Sequence, residues 1–157
     1  MPGVEGLAFA IVTSFLIVLI HYEALRLISA VSAQAPLSPR LKMLVVIMGV
    51  VMAHMIEAGV FAIGFWLGAE VLSFGHFVGH VPTNAFQYYY FALETYTTQS
   101  VGDLYPVGGL RVMASLEPLV GLILIGWSTS LTFILMRRYW RVTPTPAANV
   151  RRGRSEV

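Results

Sequence analysis

Three long, mostly apolar stretches, residues 7–33, 41–67 and 110–136, constrain this chain more than any other feature. Each can cross the roughly 30 Å hydrocarbon core of a bilayer, which takes about 20 helical residues. In that layer the backbone must satisfy its own hydrogen bonds, so each stretch is expected to be a helix. The composition agrees: 57% of the residues are hydrophobic and 11% are charged, against about 25% charged in a soluble domain. The expected fold class is an all-α membrane protein with three transmembrane helices. Residues 1–142 read as one transmembrane domain without internal repeats. Residues 143–157, rich in Pro, Ala and Arg, read as a basic, disordered tail.

The first stretch superficially fits a signal peptide, because Ala33-Gln34-Ala35 has the small residues of a cleavage site. Glu5 ahead of it, without Lys or Arg, and His21, Glu23 and Arg26 within it argue for a retained helix. The chain has no cysteine, which rules out disulfides and thiolate metal sites. Phosphate-loop, nucleophile-elbow and zinc-finger spacings are absent, so neither an enzyme of those classes nor a nucleic-acid module is expected.

Basic residues set the expected orientation. Arg40 and Lys42 lie between the first two stretches, and Arg137, Arg138 and Arg141 close the third. Arg151, Arg152 and Arg154 follow in the tail, where they suit anionic lipid head groups. The positive-inside rule then places all of these in the cytoplasm and the amino terminus outside. The expected location is the cell inner (plasma) membrane, with several passes.

Between the second and third stretches lies a segment too short to span. Thr83 and Asn84 are good helix caps, so residues 85–97 read as a short helix whose carboxyl end carries partial negative charge. Tyr88, Tyr89 and Tyr90 on it suit a membrane interface. A polar run follows, Tyr96-Thr97-Thr98-Gln99-Ser100-Val101-Gly102-Asp103. At membrane depth, such backbone is tolerated only when buried in protein or lining a watery path.

The run Glu94-Thr95-Tyr96-Thr97-Thr98-Gln99-Ser100-Val101-Gly102-Asp103-Leu104-Tyr105-Pro106 resembles the pore loop of tetrameric potassium channels. That pattern reads Glu-Thr-x-Thr-Thr-Val-Gly-Tyr-Gly-Asp-Leu-Tyr-Pro. The resemblance covers about residues 84–140. It implies a re-entrant pore helix and filter loop before the last span, assembled as a homotetramer that passes K+ or Na+, with no organic cofactor. Thr98, Gln99, Ser100, Val101 and Gly102 would form the ion-conducting filter through their carbonyls. Gln99, Ser100 and Val101 stand where the family has valine, glycine and tyrosine. A serine at a position shaped for glycine costs on the order of 1 kcal/mol. The loss of that glycine and tyrosine implies weak or altered K+ selectivity.

The resemblance also makes Glu94, Thr97 and Asp103 filter-supporting residues, with Glu94 and Asp103 paired behind the filter; Glu117, read from its place inside a span, either supports the filter from behind, faces the cavity, or makes a structural hydrogen bond to a neighbouring subunit. Gly121 and Gly126 are candidate gating hinges or, equally, packing glycines. Glu117, followed by Pro118 inside a span, stands out because ionisable residues there tend to be functional.

In the first two spans, His21 and His54 come to similar depth if the chain turns near Pro36 to Pro39, and Glu23 and Glu57 lie within about a turn of them. Such a group can bind a divalent metal, form a proton-sensitive network, or simply lock the helices together. His76 and His80 in the outer loop admit the same metal or pH readings, or none. The leading expectation is thus a monovalent cation channel. A non-conducting membrane sensor or assembly subunit, and a metal or haem protein built on His21 and His54, are the alternatives.

Overall fold

A computed structural model describes residues 2–140. The basic tail lies outside them. The chain runs α1 (Pro2–Gln34), α2 (Pro39–Trp66), a π-helical turn (Leu67–Val71), β1 (Gly75–Gly79), α3 (Ala85–Tyr96), β2 (Leu104–Gly108) and α4 (Gly109–Tyr139). Three helical stretches, Gly3–Gln34, Pro39–Val71 and Gly109–Tyr139, are long and apolar enough to cross a membrane. They pack against one another, and α3 packs mainly on α2.

Close approach of α1 and α4 depends on paired glycines. A Cβ on Gly6 would lie 2.5 Å from the Cα of Gly109, closer than side-chain atoms tolerate. At the opposite end the Ser32 hydroxyl sits 3.0 Å from the Tyr139 hydroxyl and Lys42 lies over the Tyr139 ring. The same end is filled by Met43, Val46 and Leu135.

The main core is aromatic and fixes α3. Phe91 stacks edge-on against Phe65 at 5.0 Å and against Phe77 at 5.1 Å, and Phe77 does so against Tyr88. Such pairs add about 0.5–1.5 kcal/mol each beyond the area they bury. Asn84 caps α3 by accepting from the Gln87 N–H, and the Gln87 side chain reaches back to the Thr83 N–H. This reciprocal arrangement satisfies donors that a helix start leaves open.

At its other end α3 runs deep between the long helices. The Tyr96 carbonyl packs against Gly121, where a Cβ would lie 2.5 Å from that oxygen. The meeting point is about 18 Å along α4 from Gly109, at 1.5 Å per residue.

A two-stranded antiparallel ribbon, with no counterpart in the expected all-helical fold, ties off this excursion. It pairs Gly75 with Gly108 and Gly79 with Leu104. The His80 N–H also donates to the Asp103 carbonyl at 2.9 Å. The chain entering α3 is thereby fastened to the chain leaving the polar segment. Gly108 turns the ribbon into α4 at φ 67°, with the Phe74 carbonyl where a side chain would stand.

Candidate functional site

Two features carry chemistry, and they are joined through Tyr96. The first is a buried polar cluster at the centre of the bundle. His54 and Glu57 share one face of α2 because they are three residues apart on a helix. His21 of α1 comes against them, with Nδ1 2.7 Å from Glu57 Oε1. His54 Nδ1 lies 3.0 Å from Glu57 Oε2 and 2.8 Å from the Tyr96 hydroxyl. The Tyr96 hydroxyl donates to Glu57 Oε2 at 2.6 Å. On the far side of both rings, Ser128 Oγ of α4 lies 3.1 Å from His54 Nε2 and 3.3 Å from His21 Nε2.

Every helix of the structure therefore contributes to one closed network. His21 and Glu57 are fully buried, and Tyr96 and Ser128 nearly so. Trp127 covers the His21 ring at 5.4 Å. The atoms of His21, His54 and Glu57 lie within 4.8 Å of one another, close enough to ligate one metal ion. Glu23 does not join them. It is exposed and forms an ion pair with Arg26 at 3.2 Å.

Tyr96 and Ser128 are the members that sequence reasoning missed. Tyr96 carries only the signal of a polar-tipped ring at the end of a predicted helix. Ser128 carries none, being one hydroxyl in an apolar stretch.

The second feature begins one residue after Tyr96. The N–H groups of Thr97, Thr98 and Gln99 bond back to the carbonyls of Leu93, Thr95 and Glu94, and Thr97 Oγ1 also donates to Leu93. These bonds occupy the carbonyls of Leu93, Glu94 and Thr95 in the last turn of α3. The carbonyls of residues 97–102, by contrast, accept no hydrogen bond among the described residues. Thr98, Ser100 and Gly102 have φ of 63°, 40° and 83°, with Gln99 and Val101 in the ordinary negative range. The sign of φ thus alternates along the run, unlike the uniform backbone of a strand. For Thr98 and Ser100 this conformation is strained, because only glycine adopts it freely. Residues 97–101 are exposed in the single chain.

The remaining candidates are placed as follows. Glu94 is buried, with Oε1 lacking a hydrogen-bond partner among the described residues, and no hydrogen bond joins it to the exposed Asp103. Glu117 is fully buried in α4, with neither carboxyl oxygen hydrogen-bonded among the described residues. Gly121 meets Tyr96, whereas Gly126 has open space around its Cα. His76 lies in β1 opposite Val107, and His80 follows that strand.

The expected interfacial tyrosines differ from one another. Tyr88 is buried and donates to Glu70 Oε1 at 2.7 Å, while Tyr90 is exposed. Burial, then the Glu70 carboxylate beside it, pushes the Tyr88 phenol up to about 12.

No protein-family model, curated protein or solved structure matches this chain.

Proposed function

We propose that this chain is one subunit of a homotetrameric, potassium-channel-like pore that passes monovalent cations with weak K+ selectivity. The observation that carries the reading is the run of free carbonyls at residues 97–102, on backbone of alternating hand. Carbonyl oxygens that face one way can replace the water shell of a cation. One chain brings one such run, and a ring of them around an axis needs further copies.

Three further features support it. The deep seat of the α3 carboxyl end against Gly121 fits a re-entrant pore helix, with its negative dipole end toward a central cation. The run faces away from the chain's own core, toward a space that neighbouring subunits would enclose. Ser100 holds a left-handed φ of 40° in place of a glycine, which favours a looser filter than a ring of evenly spaced sites. In this reading the protein lies in the plasma membrane with its amino terminus outside and its carboxyl terminus cytoplasmic.

Reversal potentials in planar bilayers, with potassium opposite sodium, test the proposal. A current reversing near zero, with large organic cations excluded, is expected. A tetrameric preparation that passes no current at any voltage would overturn it and move the weight to a non-conducting sensor.

A further inference from the structure

We propose that His21, His54, Glu57 and Tyr96 form a site for a borderline divalent transition-metal ion of the zinc type. The inference stands apart from the channel reading, since it concerns atoms behind the polar run and not the run itself.

The donor set comes first. His21 Nδ1, His54 Nδ1 and the Glu57 carboxylate converge within 4.8 Å of one another. The Tyr96 oxygen completes the group, 2.6 Å from Glu57 Oε2 and 2.8 Å from His54 Nδ1. Zinc bonds of about 2.0–2.1 Å in a tetrahedron hold neighbouring ligand atoms roughly 3.3 Å apart. The hydrogen-bonded pairs, now 2.6–3.0 Å apart, need to open by about 0.3–0.7 Å, and the widest pair needs to close from its limit of 4.8 Å, to reach that spacing. Two imidazoles with a carboxylate suit zinc, copper or nickel, whereas calcium and magnesium take oxygen ligands.

Hydrogen accounting points the same way. Five links hold the cluster: His21 to Glu57, His54 to the Glu57–Tyr96 pair, Tyr96 to Glu57, and each imidazole to Ser128. Each link needs one hydrogen. Two neutral imidazoles, one phenol and one hydroxyl supply four. With Glu57 ionised, the cluster is therefore one positive charge short of full satisfaction. A metal ion on the Nδ1 side meets that need.

With the ion in place, both rings carry their hydrogen on Nε2, and both point at Ser128 Oγ. A hydroxyl oxygen has two lone pairs and can accept from both. Fixing the outer nitrogens of metal-bound imidazoles is the usual task of such a partner.

There is also a way in. A groove of about 420 Å3 between α2 and α4 is lined by His54 and Ser128 together with apolar residues such as Ile47, Val51 and Phe133. The His54 side chain is 17% exposed. An ion here would reset the spacing of Glu57 and Tyr96, directly behind the polar run.

The test uses the full chain purified in detergent and stripped with chelator. Cobalt titration should give the visible bands of a tetrahedral site at one ion per chain, and zinc should abolish them. His54→Ala and Glu57→Gln should remove the bands. Ser128→Ala, which keeps every ligand, should weaken binding about ten- to a hundredfold, and it decides the matter if the ligand variants fail to fold. Folded wild-type protein that binds neither metal overturns the proposal, and would leave the cluster's extra charge to a proton. Undiminished binding in a His21→Ala/His54→Ala double variant also overturns it, by assigning the ion to His76 and His80. So does Ser128→Ala with unchanged affinity.

Discussion

Replacing Gly121 by alanine tests the seat of α3 most directly. A Cβ at this position would stand 2.5 Å from the Tyr96 carbonyl oxygen and 3.3 Å from the Tyr96 ring. Ordinary contact begins near 3.4 Å, so α3 and α4 must part by roughly 1 Å at their deepest meeting point. Overpacking of this kind costs about 1–3 kcal/mol. Alanine returns about 1 kcal/mol through its helix propensity. Gly126→Ala in the same helix earns the same return, with nothing within 4 Å of the new methyl. Propensity thus cancels between the two variants, and Gly121→Ala should be less stable than Gly126→Ala by about 1–3 kcal/mol. At about 2–4 °C per kcal/mol for a chain of this size, the two should unfold roughly 2–12 °C apart. Thermal unfolding in detergent, followed by circular dichroism, gives the comparison. Equal melting temperatures would refute the close packing of Tyr96 on α4.

Tyr96→Phe removes the donor to Glu57 while keeping the ring. A loss of about 1–3 kcal/mol is expected in the same unfolding measurement. Ser100→Gly relieves a left-handed residue at φ 40° and should stabilise the chain by up to about 1 kcal/mol. In bilayers it should shift the reversal potential toward that of potassium, and an unchanged reversal would argue against Ser100 as the selectivity determinant. Tyr88, held up to about 12 by burial and by Glu70, has a folded value above its unfolded value of about 10. Its contribution to stability is therefore complete below pH 10 and is lost as pH rises toward 12. Phenolate absorbance of Tyr88 that appears already near pH 10 in folded protein would contradict the buried Tyr88–Glu70 bond.

Hydropathy made the three long helices legible, because a membrane span needs only length and apolarity. The short helix was legible too, through Asn84 as a cap and its aromatic run. The cluster was legible in part. His54 and Glu57 share a face by spacing alone, and hairpin geometry brought His21 to their depth. Glu23 lies within about a turn of them in depth but points in another direction. Two residues along a helix turn a side chain by about 200°, which sends Glu23 outward to Arg26. Tyr96 and Ser128 could not be found this way, since which α3 and α4 side chains meet α2 depends on packing and not on any local period. The ribbon was hidden for a different reason. Its strands are five residues long, carry glycines and Pro106, and are set by pairing across the loop and not by alternation.

The central cluster also has a consequence for how the chain is assembled in a membrane. An acidic residue at the middle of a lone span raises its insertion free energy by about 2.5–3.5 kcal/mol. Glu57 gives α2 that handicap, and its first partner, His21, arrives on α1. Insertion of α1 and α2 as a pair removes much of the penalty before the rest of the chain has been made. Tyr96 and Ser128 then reach the same point from later segments. The cluster thus checks that each element has arrived in register: a slip of one helical residue in any of the four would leave a polar atom stranded among hydrocarbon.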